Sequence, residues 1–210
     1  MASKVLIANR ALTKLGEARI ISLTDTSKAA TTLNSMFDTV RDDELRAHRW
    51  HFAKTRAQLA ALSTPPIFGF AYAYQLPTDY MSLIQVGNLL VYPRMDTRGL
   101  FSIEGNQLLT DLGPSLPLRY IKRVEDPNLY DASFIEAFAC RLAWESCESL
   151  TQSATKRQLA ASEYEAAIRR AVRANAIERP SQVIAGDTWL ESRGDGTNVI
   201  STPQGPIVID

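Results

Sequence analysis

The residues of this 210-residue chain best suited to chemistry gather in one stretch, 46–62. There Arg46, Arg49, Lys54 and Arg56 alternate with Trp50 and Phe52, and both histidines, His48 and His51, lie among them. Three chemistries fit those residue types. A nucleic-acid surface would use the cations on phosphates and the two aromatic rings on bases, yet residues 41–56 hold five basic and three acidic residues, a small excess. A metal centre would take Glu44, His48 and His51 from a helix, but two histidines without a companion cluster do not make a zinc signature. The third reading makes Trp50 and Phe52 core anchors, with the charged residues facing water or a neighbouring subunit, and it is the one we adopt. Carboxylate pairs such as Asp42/Asp43 and Glu145/Glu148 sit in charge-balanced helical strips and read as solvated. The chain carries no phosphate loop, dinucleotide fingerprint, zinc spacing or nucleophile elbow. We therefore expect a protein that is not an enzyme, with no catalytic residues, cofactor or metal.

Composition sets the frame for these residues. With 23 basic and 23 acidic residues, no net field draws the chain to nucleic acid or to a membrane surface. No apolar run approaches the length of a membrane span, and the N-terminus leads directly into a helical pattern, so we expect a soluble protein made in a cytoplasm. Cys140 and Cys147 fall on one expected helix with Cα atoms roughly 10.5 Å apart, too far for a disulfide. Both read as core residues.

Apolar spacing then gives the elements. Residues 3–15 and 27–47 repeat apolar side chains at helical steps and form an expected N-terminal helical hairpin, with Gly16 placed to end the first helix. Residues 67–124 change character. The aromatic–small alternation from Phe68 to Tyr74, the turn dipeptides Gly87-Asn88 and Gly105-Asn106, and the alternation from Leu116 to Val124 predict a small inserted antiparallel β region. Two further helices, 132–150 and 154–178, follow across a short polar turn at 151–153 without Gly or Pro, so the second is expected to return alongside the first. The second of these is rich in alanine, with eight between residues 154 and 176. Ala160, Tyr164, Ala167 and Ala171 mark a stripe on which another subunit's helix could approach closely. The expected fold class is thus α+β, predominantly a helical bundle of N- and C-terminal hairpins with the β region inserted, and with a C-terminal arm.

That arm, 179–210, holds four of the ten glycines and three of the ten prolines. Its apolar content is too small to offset its own ordering entropy. Trp189 and Leu190, then Ile207, Val208 and Ile209, are its candidate docking residues, the last three by adding a strand to a partner's edge.

Several segments in their order resemble tail tubular protein A, the head-to-tail adaptor family of short-tailed bacteriophages. They are Ala8-Asn9-Arg10-Ala11-Leu12-Thr13-Lys14-Leu15-Gly16, Ile21-Ser22-Leu23-Thr24-Asp25, Leu45 to Ala53 with its Trp50-His51-Phe52-Ala53, Tyr74-Gln75-Leu76-Pro77-Thr78-Asp79, Arg119-Tyr120-Ile121, and Phe134 to Ala143. Arg49 stands where members of that family often have proline. The resemblance implies a virion protein assembled in the host cytoplasm, about twelve copies closing a ring at the head–tail junction. It implies the portal protein and the tail nozzle protein as partners, passage of double-stranded genomic DNA through the lumen during ejection, and no catalytic residues. The alternatives are a phage-associated polysaccharide hydrolase, for which Glu145 and Glu148 would be tested, and a DNA-binding regulatory protein using residues 46–56.

Overall fold

The computed structural model describes residues 2–91, 99–178, 200–202 and 205–207. It divides into two compact units, residues 1–178 and 179–210.

In the larger unit each long helix begins on a side chain that accepts a hydrogen bond from its first turn. Ser3 caps α1 (Lys4–Leu15), Ser27 caps α2 (Lys28–Ala47), Asp131 caps α3 (Ala132–Thr151) and Ser153 caps α4 (Ala154–Ile177). Gly16 ends α1 with φ of 73°, a left-handed conformation that suits glycine. Helix α3 is the centre, touching α1, α2 and α4. The expected N-terminal hairpin is corrected here: α1 and α2 each pack on α3 more extensively than on one another. Their connection is held by Asn9, whose amide donates to the Ile20 carbonyl and accepts from the Ile20 N–H, both at 2.8 Å.

Among the described residues, seven strands follow α2 and precede α3: β1 (Lys54–Ala60), β2 (Tyr72–Gln75), β3 (Tyr80–Val86), β4 (Leu89–Leu90), β5 (Phe101–Glu104), β6 (Gln107–Thr110) and β7 (Ser115–Lys122). They form two antiparallel sheets, ordered β1-β7-β3-β4 and β2-β6-β5, bridged at Ala61 and Tyr74. Four helices with two such sheets make an α+β unit that is not predominantly a helical bundle, which overturns the fold class expected above. The miss began at β1. Lys, Arg, Gln and Ala in 54–60 are good helix formers, but the whole segment pairs with β7, from Lys54 opposite Ile121 to Ala60 opposite Ser115. Long-range pairing overrides local propensity there. The β region therefore starts at Lys54, not at 67. Conversely, Phe68 and Phe70 lie outside any strand, on either side of Gly69 with φ of 88°.

One strand serves two cores. Between β3 and β7 the register skips Met81 and Ile84, and these two bulge residues are the ones β3 sends into the core under the helices. Leu83 and Val86 instead join Tyr74, Leu108, Leu116, Leu118 and Tyr120 in a separate core of the sheets. A bulge turns a side chain to the opposite face, and β3 uses two of them to bind sheet to helices.

The smaller unit contains β8 (Ile200–Thr202) paired antiparallel with β9 (Gly205–Ile207), Ile200 lying opposite Ile207. Trp189, Leu190, Val208 and Ile209 lie outside the described residues.

Candidate functional site

Trp50 and Phe52 lie in the core under the helices. Trp50 is fully buried and its indole N–H donates to the Glu44 carbonyl at 2.8 Å. Its ring meets Phe134 edge-on at 4.9 Å and Phe52 at 6.1 Å; Phe52 in turn meets Tyr130 at 5.7 Å. A ring so enclosed has no face for a nucleic-acid base. Two cations of the same stretch are engaged internally, Arg46 donating to the Met81 carbonyl at 2.9 Å and Arg49 to that of Val91.

The alanine stripe is a second correction. Ala160, Ala167 and Ala171 are buried within the chain itself, where α4 lies along α3. Small side chains do permit close approach, but the helix that approaches is the chain's own. Tyr164, half-buried beside them, stacks on Trp144 at 5.7 Å. Its hydroxyl donates to Glu44 Oε1 at 2.6 Å. Glu44, a ligand in the metal reading of the sequence, is 1% exposed, and its Oε2 has no hydrogen-bond partner among the described residues. Burial raises its carboxyl above the ordinary range, against the Tyr164 hydroxyl and Arg141, which favour the charge. Burial together with the bond to Glu44 raises the Tyr164 hydroxyl as well. The Arg141 guanidinium lies 4.8 Å over Trp144 and 5.2 Å over Tyr164, and bonds Glu145 at 2.6 Å. This joint of α2, α3 and α4 combines a buried carboxyl, a phenol and a stacked guanidinium. No spacing rule links residues 44, 141 and 164.

Each carboxylate of the two pairs read from the sequence meets at least one cation. Glu145 faces Arg141, Glu148 faces Arg157 at 2.8 Å, Asp42 is held by Arg41 at 2.8 Å and by Arg123 at 3.0 Å, and Asp43 lies 3.4 Å from Arg141. The Glu145/Glu148 pair of the hydrolase reading is thus divided between two arginines. An open groove of about 730 Å³ runs along α1, and two of its three cations, Arg10 and Lys14, contact Glu136 at 2.7 Å. The metal reading of Glu44, His48 and His51 also dissolves. Glu44 faces Tyr164, His48 meets Trp50 edge-on, and His51 points to the end of α4.

The Leu76-Pro77-Thr78-Asp79 corner has a structural task. Leu76 is buried, and Asp79 accepts from the Tyr120 hydroxyl at 2.9 Å while its carbonyl accepts from the Arg123 N–H at 2.7 Å. Burial and that bond push the Tyr120 hydroxyl up to about 12. The corner thereby ties the start of β3 to the end of β7.

Surface apolar residues stand out in several places, among them Ile21 between α1 and α2, which is 91% exposed. In the loop between β1 and β2, Ile67 is 99% and Phe68 85% exposed; on α4, Leu159 is 60% and Ile177 78% exposed. Among the described residues no helix is long and apolar enough to cross a membrane. No protein-family model matches the chain, and no curated protein is significantly similar to it.

Proposed function

We propose that the chain is a structural virion protein, a head-to-tail adaptor. About twelve copies form a ring between portal and tail nozzle, and genomic DNA passes through its lumen during ejection. The observation that carries this reading is the placement of large exposed apolar residues on two different elements of one unit, Ile67 and Phe68 on the β1–β2 loop and Leu159 and Ile177 on α4. A ring is closed by heterologous contacts, in which each copy offers two unlike surfaces. Single exposed apolar residues are ordinary, but an adjacent pair as bare as Ile67-Phe68 costs solvation unless something covers it. The ordered segments that resemble the adaptor family support the same reading, as does a balance of charge that leaves DNA free to slide.

The test is assembly. Light scattering and electron microscopy of the full chain mixed with portal particles are expected to give rings on the portal, and the Ile67→Ser/Phe68→Ser double variant is expected to remain folded and fail to close them. A chain that stays monomeric and never joins a portal sinks the proposal.

A further inference from the structure

Away from the Glu44 joint, three segments of the larger unit bring side chains of a different kind together. His51 opens the 3₁₀ turn His51–Ala53 that follows α2, Asp131 caps α3, and Glu178 caps the C-terminal end of α4. One ligand-type atom from each lies within 4.8 Å of the other two. The imidazole Nδ1 is 3.0 Å from Glu178 Oε2 and 3.1 Å from Asn175 Oδ1. Both neighbours are acceptors, and an imidazole nitrogen carries at most one proton to share between them. Asn175 cannot turn to relieve this. Its Oδ1 already accepts from the His51 backbone N–H at 2.8 Å, while its Nδ2 donates to the Arg49 carbonyl at 3.1 Å. Asn175 is itself only 9% exposed, so its oxygen is a built part of the site. Two carboxylates and an oriented amide oxygen therefore gather about one imidazole, Asp131 Oδ1 accepting in addition from the Ser133 N–H at 2.6 Å and from the Ser133 hydroxyl.

We propose that His51, Asp131 and Glu178 form a site for one divalent cation of the zinc class, with His51 Nδ1 as a ligand atom and with Asn175, whose Oδ1 accepts from the His51 backbone N–H, fixing the residue that carries it. The donor set selects the ion. Imidazole nitrogen with two carboxylates suits Zn²⁺ and its neighbours Co²⁺ and Ni²⁺, whereas Mg²⁺ and Ca²⁺ take oxygen donors, Ca²⁺ six or more of them. Zinc holds such ligands at about 2.0–2.2 Å, which sets neighbouring donors roughly 3.0–3.5 Å apart. The His51–Glu178 pair already has that separation. A turn of the Glu178 side chain, which is 54% exposed, closes its separation from Asp131, and the His51–Asp131 separation, within 4.8 Å, closes by movement of those two side chains. Three protein ligands leave a fourth position open to water or to a donor from another molecule. The bound ion would clamp the end of α4 to the start of α3 at the last residue before segment 179–210. This inference stands apart from the adaptor reading, and it is tested on the isolated full chain.

The chain, freed of metal with a chelator, is titrated calorimetrically with zinc chloride and, in parallel, by absorbance with cobalt chloride. Expected are one ion per chain, a cobalt spectrum without the near-ultraviolet thiolate band, and no competition from millimolar Mg²⁺. Loss of an outer partner at a metal site weakens binding about 10–100-fold, the effect expected for Asn175→Ala. His51→Asn and Glu178→Gln, each removing a ligand, should weaken it more. His48→Gln changes the only other histidine and should bind as the parent does. Circular dichroism checks that each variant folds, and Glu178→Gln, at the most exposed ligand, keeps the test sound should His51→Asn unfold. Absence of stoichiometric zinc binding at millimolar concentration overturns the proposal. So does affinity unchanged by Glu178→Gln, affinity lost with His48→Gln, or a thiolate band assigning the ion to Cys140 or Cys147.

Discussion

The core under α3 gathers Phe37, Trp50, Phe134 and Phe138 from segments far apart in the chain, while the core between the sheets is filled from strands that follow one another between residues 74 and 120. In the first, aromatic rings meet at 4.9 to 5.8 Å and lock α2, the turn after it and α3 together. In the second, leucines dominate and most contacts lie between neighbouring strands. Packing of the first kind joins segments from both ends of residues 1–178, whereas packing of the second stays among the strands between α2 and α3 and can loosen apart from the helices. The difference teaches that stability of residues 1–178 is seated under α3, and that the sheets are secured to it chiefly where Met81, Ile84 and Ile121 cross over.

Trp50→Ala should do the most damage. It empties the centre of the aromatic group and removes the donor to the Glu44 carbonyl, at a cost of about 3–5 kcal/mol in urea unfolding. A loss below about 1 kcal/mol would break the comparison. Leu108→Ala strikes the sheet core and should fall toward the lower end of about 2–5 kcal/mol. Hydrogen exchange should then speed up in β2, β5 and β6 while α3 keeps its protection; equal acceleration in both would make the two cores one.

Tyr164→Phe keeps the ring on Trp144 and removes only the hydroxyl, leaving both Glu44 oxygens without a donor in a buried place. About 1–3 kcal/mol is expected from thermal or urea melts. The smallest effect is a slope. Since burial raises the Glu44 carboxyl in the folded state, the folded protein holds that proton to higher pH than the unfolded chain does. Stability relative to Glu44→Gln should therefore be level below the unfolded value of about 4.3, decline as pH rises through the folded value, and level off above it. A flat difference across pH 4 to 8 would show that Tyr164 and Arg141 offset the burial of Glu44 completely.

Much of the helical half was legible from residue order. Cap residues and three- to four-residue apolar steps are local signals, and they located α1 to α4 within a residue or two. The turns at Gly87 and Gly105, with φ of 55° and 58°, were legible for the same reason. What local signals cannot carry is pairing at a distance. Strand β1 is built from helix-favouring residues and exists because β7, some sixty residues on, supplies its partners. The short turn at 151–153 was enough to bring α4 back along α3, but residue order did not tell that the alanine stripe, read as an intersubunit face, is the face α4 turns to α3.

The candidate sites follow the same division. That Trp50 and Phe52 are large enough to anchor a core is a property of their side chains. That Glu44 loses its water to Tyr164, or that His51 faces Asn175 and Glu178 from more than 120 positions away, depends on where α4 comes to rest. Composition and periodicity by themselves determined the helices, the turns and a chain without net charge. The tertiary structure alone decided which ionisable groups meet, because desolvation and coordination depend on distance in space and the spacing of residues along the chain does not encode it.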